Sequence, residues 1–102
     1  MTAQRGQVYR CDIGHGLKPW LVVSNNGRNA RLDTVIAIRI TTTARDLPTW
    51  VQLTSADPLA GYAIADDIEQ LYQEELGHYQ GSLTQATMAR INHALGLALA
   101  LI

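Results

Sequence analysis

From Val8 to Ile13 the chain alternates, Val8, Arg10 and Asp12 against Tyr9, Cys11 and Ile13, the period-two pattern of a half-buried strand. Gly14-His15-Gly16 breaks that pattern and predicts a tight loop with His15 at its centre. Trp20-Leu21-Val22-Val23, closed by Ser24, is a continuous aromatic and β-branched run, which predicts a central strand. Asn25-Asn26-Gly27 is a turn signal, opening a polar loop that runs to Asp33. Thr34 to Thr41 is the next strand, with Val35, Ala37 and Arg39 facing one way and Ile36, Ile38 and Ile40 the other.

Asp46-Leu47-Pro48 turns the chain into a short strand, Thr49 to Leu53, and the loop 55–61 leads to another, Tyr62 to Asp66. Gln73 to Leu76 fits one helical turn and Tyr79 to Ser82 a short edge strand. Short strands at regular turn spacing predict a small barrel or sandwich rather than βαβ units. The end of the chain changes period. Met88, Ile91, Leu95, Ala98 and Leu99 recur at spacings of three and four, behind Thr84 as N-cap or Ser82 with Gln85 as a capping box. Gly96 inside that helix costs about 1 kcal/mol relative to alanine, so a close neighbour is expected there.

The 102 residues make one expected domain, 1–102, with a thin core, since a chain of this size buries only about 60–70% of its unfolded surface. Association with a second copy would add to it. The single cysteine, Cys11, has no partner for an internal bridge and sits in an apolar alternation, which fits a packed, reduced thiol. The stretch from Met1 to Arg10 lacks the apolar segment of a leader, and no run approaches a membrane span. A cytoplasmic protein is therefore expected.

Charge is divided unevenly behind a net of −1. Residues 1–50 carry seven Lys and Arg against three Asp, net +4, and residues 51–102 carry one Arg against six acids, net −5. Such asymmetry either builds a basic face for a polyanion or cancels when the chain folds.

His15, His78 and His93 lie far apart, and no His, Cys or Asp spacing matches a metal site. No phosphate-binding glycine loop occurs. Chemistry that needs neither is available if the substrate brings its own nucleophile. In RNA the ribose 2′-OH attacks the adjacent phosphorus, so a protein need only help deprotonate it, stabilise the phosphorane and protonate the leaving oxygen. DNA lacks that hydroxyl. A cation at Lys18 and hydroxyls at Thr41, Thr42 and Thr43 stand where two adjacent strands would bring them to one rim.

Arg5-Gly6-Gln7-Val8-Tyr9, then Lys18-Pro19-Trp20 running to Ser24-Asn25, then the strand ending Ile40-Thr41-Thr42-Thr43 resemble the MazF/PemK family of toxin ribonucleases. The likeness continues in order through Leu47-Pro48-Thr49, Asp66-Asp67-Ile68, Leu76-Gly77 and the helix Thr84 to Leu101. It implies a mainly β fold with a C-terminal α-helix, an SH3-like small barrel of the PemK/CcdB type. It further implies a homodimer that cuts single-stranded RNA sequence-specifically without metal or other cofactor and is neutralised by a cognate MazE-like antitoxin.

The family's catalytic Arg and its Thr partner fall on Lys18 and Thr41. Lysine keeps the charge but loses the bidentate fork of arginine. The Lys-Pro-Trp version is similar to that of some actinobacterial members. The resemblance places RNA contacts at His15, Pro19, Arg39, Thr42, Thr43, Pro48 and Asp67. Asp67 and Glu69 replace a family amide and arginine, and Asp67 is either an acceptor for a base amine or a solvated acid. His15 is either an acid or base for the reaction or an exposed loop histidine. Thr42 and Thr43 are either turn formers or phosphate donors, and Trp20 either core or a stacking platform. Arg28 and Arg31 read as solvated loop residues, with phosphate or dimer contact the lesser reading.

Two rival functions are also compatible with these residues. The related CcdB toxins poison gyrase through a final Trp-Gly-Ile, which reads Ala100-Leu101-Ile102 here. A non-catalytic RNA- or antitoxin-binding relative would also accommodate lysine in place of arginine.

Overall fold

The computed structural model describes residues 2–102, and Met1, where the reading of a missing leader begins, lies outside them. Strands β1 (Gln7–Asp12), β2 (Leu17–Val22), β3 (Thr34–Thr41), β4 (Trp50–Gln52), β5 (Tyr62–Tyr72) and β6 (Tyr79–Ser82) form one antiparallel sheet in the order β4-β5-β3-β2-β1-β6. The sheet curls into a half-barrel, and helix α2 (Gln85–Ala98) follows it, as the expected mainly β class with a C-terminal helix requires. No helix among the described residues is long and apolar enough to cross a membrane.

The alternation of β3 is realised as two cores. Ile38 and Ile40 join Val8, Leu21 and Ala63 beneath Met88, Ile91 and Ala94 of α2. Val35 and Ala37 join Trp20, Val22 and Cys11 in the second core. Trp20 is thus core, 3% exposed. Burial pushes the Cys11 thiol up to about 11, with the charge of Glu75 adding to the shift, so it stays protonated and unreactive.

Several elements differ from the expectation for tertiary reasons. β2 begins at Leu17 rather than Trp20, because Lys18 and Pro19 pair with Cys11 and Arg10 of β1. β5 runs on to Tyr72, since its second half pairs with β3 from Ile38 back to Thr34. The polar loop contains a short helix, α1 (Asn26–Asn29), capped by Asn25. It is fixed by Asn29, which is 1% exposed and donates to the Ser24 carbonyl at 3.1 Å while accepting from the Ser24 hydroxyl at 2.6 Å. Arg28 is not solvated either: its guanidinium donates to the Thr34 carbonyl at 2.8 Å and to Thr34 Oγ1 at 2.9 Å. Arg31 stays exposed.

Thr84 caps α2, accepting from Thr87 N at 3.1 Å. Leu99 leaves the helix's apolar face, 52% exposed, because the helix ends there. Ala100 takes φ of 57°, and the amides of Ala100 and Leu101 return to the carbonyls of Leu97 and Gly96, the paired closure of a Schellman end. Ile102 folds back so that a Cβ at Gly96 would lie 3.1 Å from it, which is the close neighbour expected at this glycine.

Candidate active site

The site begins with a proline. The β2–β3 ladder runs from Val22 opposite Ala37 to Trp20 opposite Arg39 and ends there, while β1–β2 pairing continues to Asp12 opposite Leu17. Pro19 has no N–H to donate to a ladder. Past it, β2 and β3 part around a cleft of about 450 Å³. Continued by two residues, the β2–β3 register sets Lys18 across from Thr41, and both line the cleft with Pro19, Arg39 and Thr42.

Thr41 is half-buried at the end of β3. Its Oγ1 accepts from the Thr43 amide at 3.2 Å, which leaves the hydroxyl proton available to a substrate oxygen. Gly61 sits against it with φ of +129°, and a Cβ there would stand 2.5 Å from the Thr41 carbonyl oxygen. Only glycine permits that approach. Leu59 and Ala60 complete the lining, from a loop pinned by Asp57. Thr54 N and Oγ1 donate to Asp57 Oδ2 at 2.8 and 3.0 Å, Thr87 Oγ1 donates to it at 2.7 Å, and Thr84 N donates to Oδ1 at 2.9 Å. Burial would raise the Asp57 carboxyl, but these donors more than offset it and lower it to about 2.

Lys18 and Arg39 also border a second hollow of about 370 Å³, with His15, Trp20, Asp67 and Glu69. His15 reaches it on a built turn: Asp12 Oδ1 accepts from Gly14 N at 2.8 Å and Gly16 N at 3.2 Å, and both glycines have positive φ. Arg39 Nη1 lies 4.0 Å from Asp67 Oδ2, with both side chains about a third exposed, 33% and 37%. Asp67 arrives there because the β3–β5 register that pairs Ile38 with Ile68, continued by one residue, sets it across from Arg39, just before that register shifts.

Of the sequence-predicted residues, Lys18, Thr41, Pro19, Arg39, Thr42, His15 and Asp67 therefore meet at one end of the sheet. Thr43 contributes its backbone amide to Thr41. Pro48 is elsewhere, in an apolar groove of about 460 Å³ with Trp50, Ala89 and His93 between β4 and α2, because β4 pairs with the start of β5 on the far edge of the sheet. Arg10, Leu59, Ala60 and Glu69 were missed. Arg10 is the one with a signal, since its place opposite Pro19 follows once the β1–β2 register is known. Among the described residues no three His, Cys, Asp or Glu side chains gather as a metal site.

The class of protein is a curled antiparallel sheet followed by a C-terminal helix, with a lysine and a threonine lining one cleft at the end of two paired strands. The chain belongs to the PemK-like, MazF-like toxins of type II toxin-antitoxin systems, whose pattern matches residues 4–99. It is 59% identical over 97 residues to the endoribonuclease MazF1 of Mycobacterium bovis, and equally to the endoribonuclease MazF4 of Mycobacterium tuberculosis, covering 95% of this chain and 92% of each relative. A mycobacterial endoribonuclease solved in complex with its cognate antitoxin superposes with a TM-score of 0.96 at 57% identity, covering 98% of this chain and 97% of that one. The Mycobacterium tuberculosis toxin MazF-mt6, at 22% identity and a TM-score of 0.80, covers 92% of this chain and 96% of its own and shares the fold.

Proposed function

We propose that this domain is an endoribonuclease toxin that cuts single-stranded RNA by attack of the ribose 2′-OH, without a metal ion, and that a cognate antitoxin restrains it. The coarser part of this reading rests on family membership and on the named endoribonucleases at 59% identity. The observation that carries the finer part is that Lys18 and Thr41, set across from each other by the continued β2–β3 register, line one cleft with Pro19.

In that cleft the scissile phosphate sits between Lys18 and Thr41. The 2′-oxygen bonds to phosphorus, the bond to the 5′-oxygen breaks, and the products are a 2′,3′-cyclic phosphate and a 5′-hydroxyl. One proton leaves the 2′-OH and one joins the departing oxygen. Lys18 supplies a fixed charge beside the phosphorane, where preorganised electrostatics contribute most. Thr41, its lone pair engaged by Thr43 N, donates to a non-bridging oxygen and orients the group. His15, on its glycine-flanked turn beside Lys18, exchanges protons with the reacting oxygens.

The mycobacterial endoribonuclease bound to its antitoxin supports an equivalent partner for this chain, acting in the cytoplasm where its RNA is found. A homodimer is supported by Leu99, Leu101 and Ile102, which are 52%, 73% and 72% exposed at the chain's end. The deciding experiment is digestion of a long mixed-sequence RNA in excess EDTA with the product ends mapped. Discrete cuts leaving 5′-hydroxyls, lost in Lys18→Ala and Thr41→Ala, are expected. Intact RNA from folded protein overturns the reading and directs attention to gyrase.

A further inference from the structure

The second hollow contains groups that phosphate binding does not use. Asp67 and Glu69 line it, and a carboxylate in a groove for a polyanion repels the backbone unless it accepts hydrogen bonds from something else. Trp20 is 3% exposed, and neither its Nε1 nor Arg39 Nε, both buried, has a hydrogen-bond partner among the described residues. Such donors are costly to leave unpaired, by about 1–3 kcal/mol each. Glu69 is exposed and has no bonded partner among the described residues, and Asp67 has only the 4.0 Å contact with Arg39. Trp20 and Arg39, which carry these N–H groups, and the more exposed Asp67 and Glu69 thus line one hollow of about 370 Å³ with Lys18.

We propose that this hollow is a base-selecting subsite, which takes the nucleotide next to the cleaved linkage and favours a base with an exocyclic amino group over uracil. The proposal rests on the RNA-cutting function above. Cytosine, adenine and guanine each present an amino donor to a carboxylate, and each has a ring nitrogen or carbonyl to accept from the indole or guanidinium N–H. Uracil has no amino group: it presents a carbonyl oxygen on the edge where cytosine and adenine present theirs, and two acceptors then face each other. The carboxylates therefore specify the base while Lys18 holds the phosphate.

The test is cleavage of a randomised single-stranded RNA library, with base frequencies read position by position around the cut. Uracil is expected to be depleted about tenfold at one position flanking the cut. Glu69→Gln and Asp67→Asn place amides there, which donate as well as accept, and bring uracil to within about twofold of the other bases. Glu74→Gln removes the same charge from a residue outside this hollow and leaves the base profile unchanged. Free use of uracil at every flanking position overturns the proposal, as does an unaltered profile in Glu69→Gln and Asp67→Asn.

If the parent cuts nothing, fluorescence anisotropy with 2′-O-methyl oligomers varied at one base decides the point. Discrimination against uracil that both variants lose supports base selection alone. Equal binding of all four bases overturns it, and no binding to any oligomer overturns both readings.

Discussion

Around Asp57 the strong polar groups are matched to one another, and around Arg39 they are not. Asp57 is 9% exposed and receives four donated hydrogen bonds from Thr54, Thr84 and Thr87. Asp67, on the same acidic half of the chain, is 37% exposed and meets only Arg39, at 4.0 Å. One carboxylate joins a loop to the start of a helix. The other stands beside unpartnered N–H groups and a lysine at the mouth of a cleft. A saturated buried carboxylate contributes to stability, since removing any partner strands a charge. An unsaturated one leaves its hydrogen-bonding capacity for a ligand.

Lys18→Ala is expected to break this contrast most sharply. Losing one fixed charge beside the phosphorane costs about 10²–10³ in cleavage rate, while Tm moves by less than about 2 °C, because a half-buried lysine at the end of a ladder holds nothing else in place. Single-turnover cleavage beside thermal melting separates the two effects, and equal losses in both would return Lys18 to a structural role.

Gly61→Ala comes next. The new Cβ at 2.5 Å from the Thr41 carbonyl, on a backbone with φ of +129°, is expected to cost about 2–3 kcal/mol. It should also lower the cleavage rate of the molecules that remain folded, since Thr41 must move. Urea unfolding with activity scaled to folded fraction reads both.

Asp57→Asn inverts the Lys18 result. Stability falls by about 2 kcal/mol near neutral pH, and cleavage per folded molecule is retained. The pH dependence carries a definite sign. The carboxyl is held at about 2 against an ordinary 3.8, so its contribution is present above pH 3.8 and is lost as pH falls toward 2. Melting curves of parent and variant should therefore converge over that acid range.

The smallest effect is at the chain's end. Ala100→Gly relieves a left-handed backbone, φ of 57°, and is expected to stabilise by about 0.5–1 kcal/mol with no change in cleavage.

Much of this molecule is visible in the order of its residues. The alternation of β1 and β3, the cap at Thr84 and the glycine contact at Gly96 follow from local rules, because a strand's period and a helix's terminal hydrogen bonds depend only on near neighbours. The pair Lys18 and Thr41 was reached through collinear motifs rather than by chemistry alone. Pro48 was placed with them by the resemblance, yet it lies away from them, in the groove between the edge strand β4 and α2.

Sequence by itself determined where most strands lie, though not the full lengths of β2 and β5, where the last helix starts, and that a lysine precedes a proline on one strand while a threonine ends the next. The tertiary structure decided that Pro19 ends a ladder and so opens the cleft. It also decided that the register between β3 and β5 sets Asp67 across from Arg39, and that Asp57 is consumed in the junction with α2. The reason is physical: a ladder's end, a strand register and a buried carboxylate's partners each depend on residues distant in the chain, and no local pattern records which distant backbone will arrive.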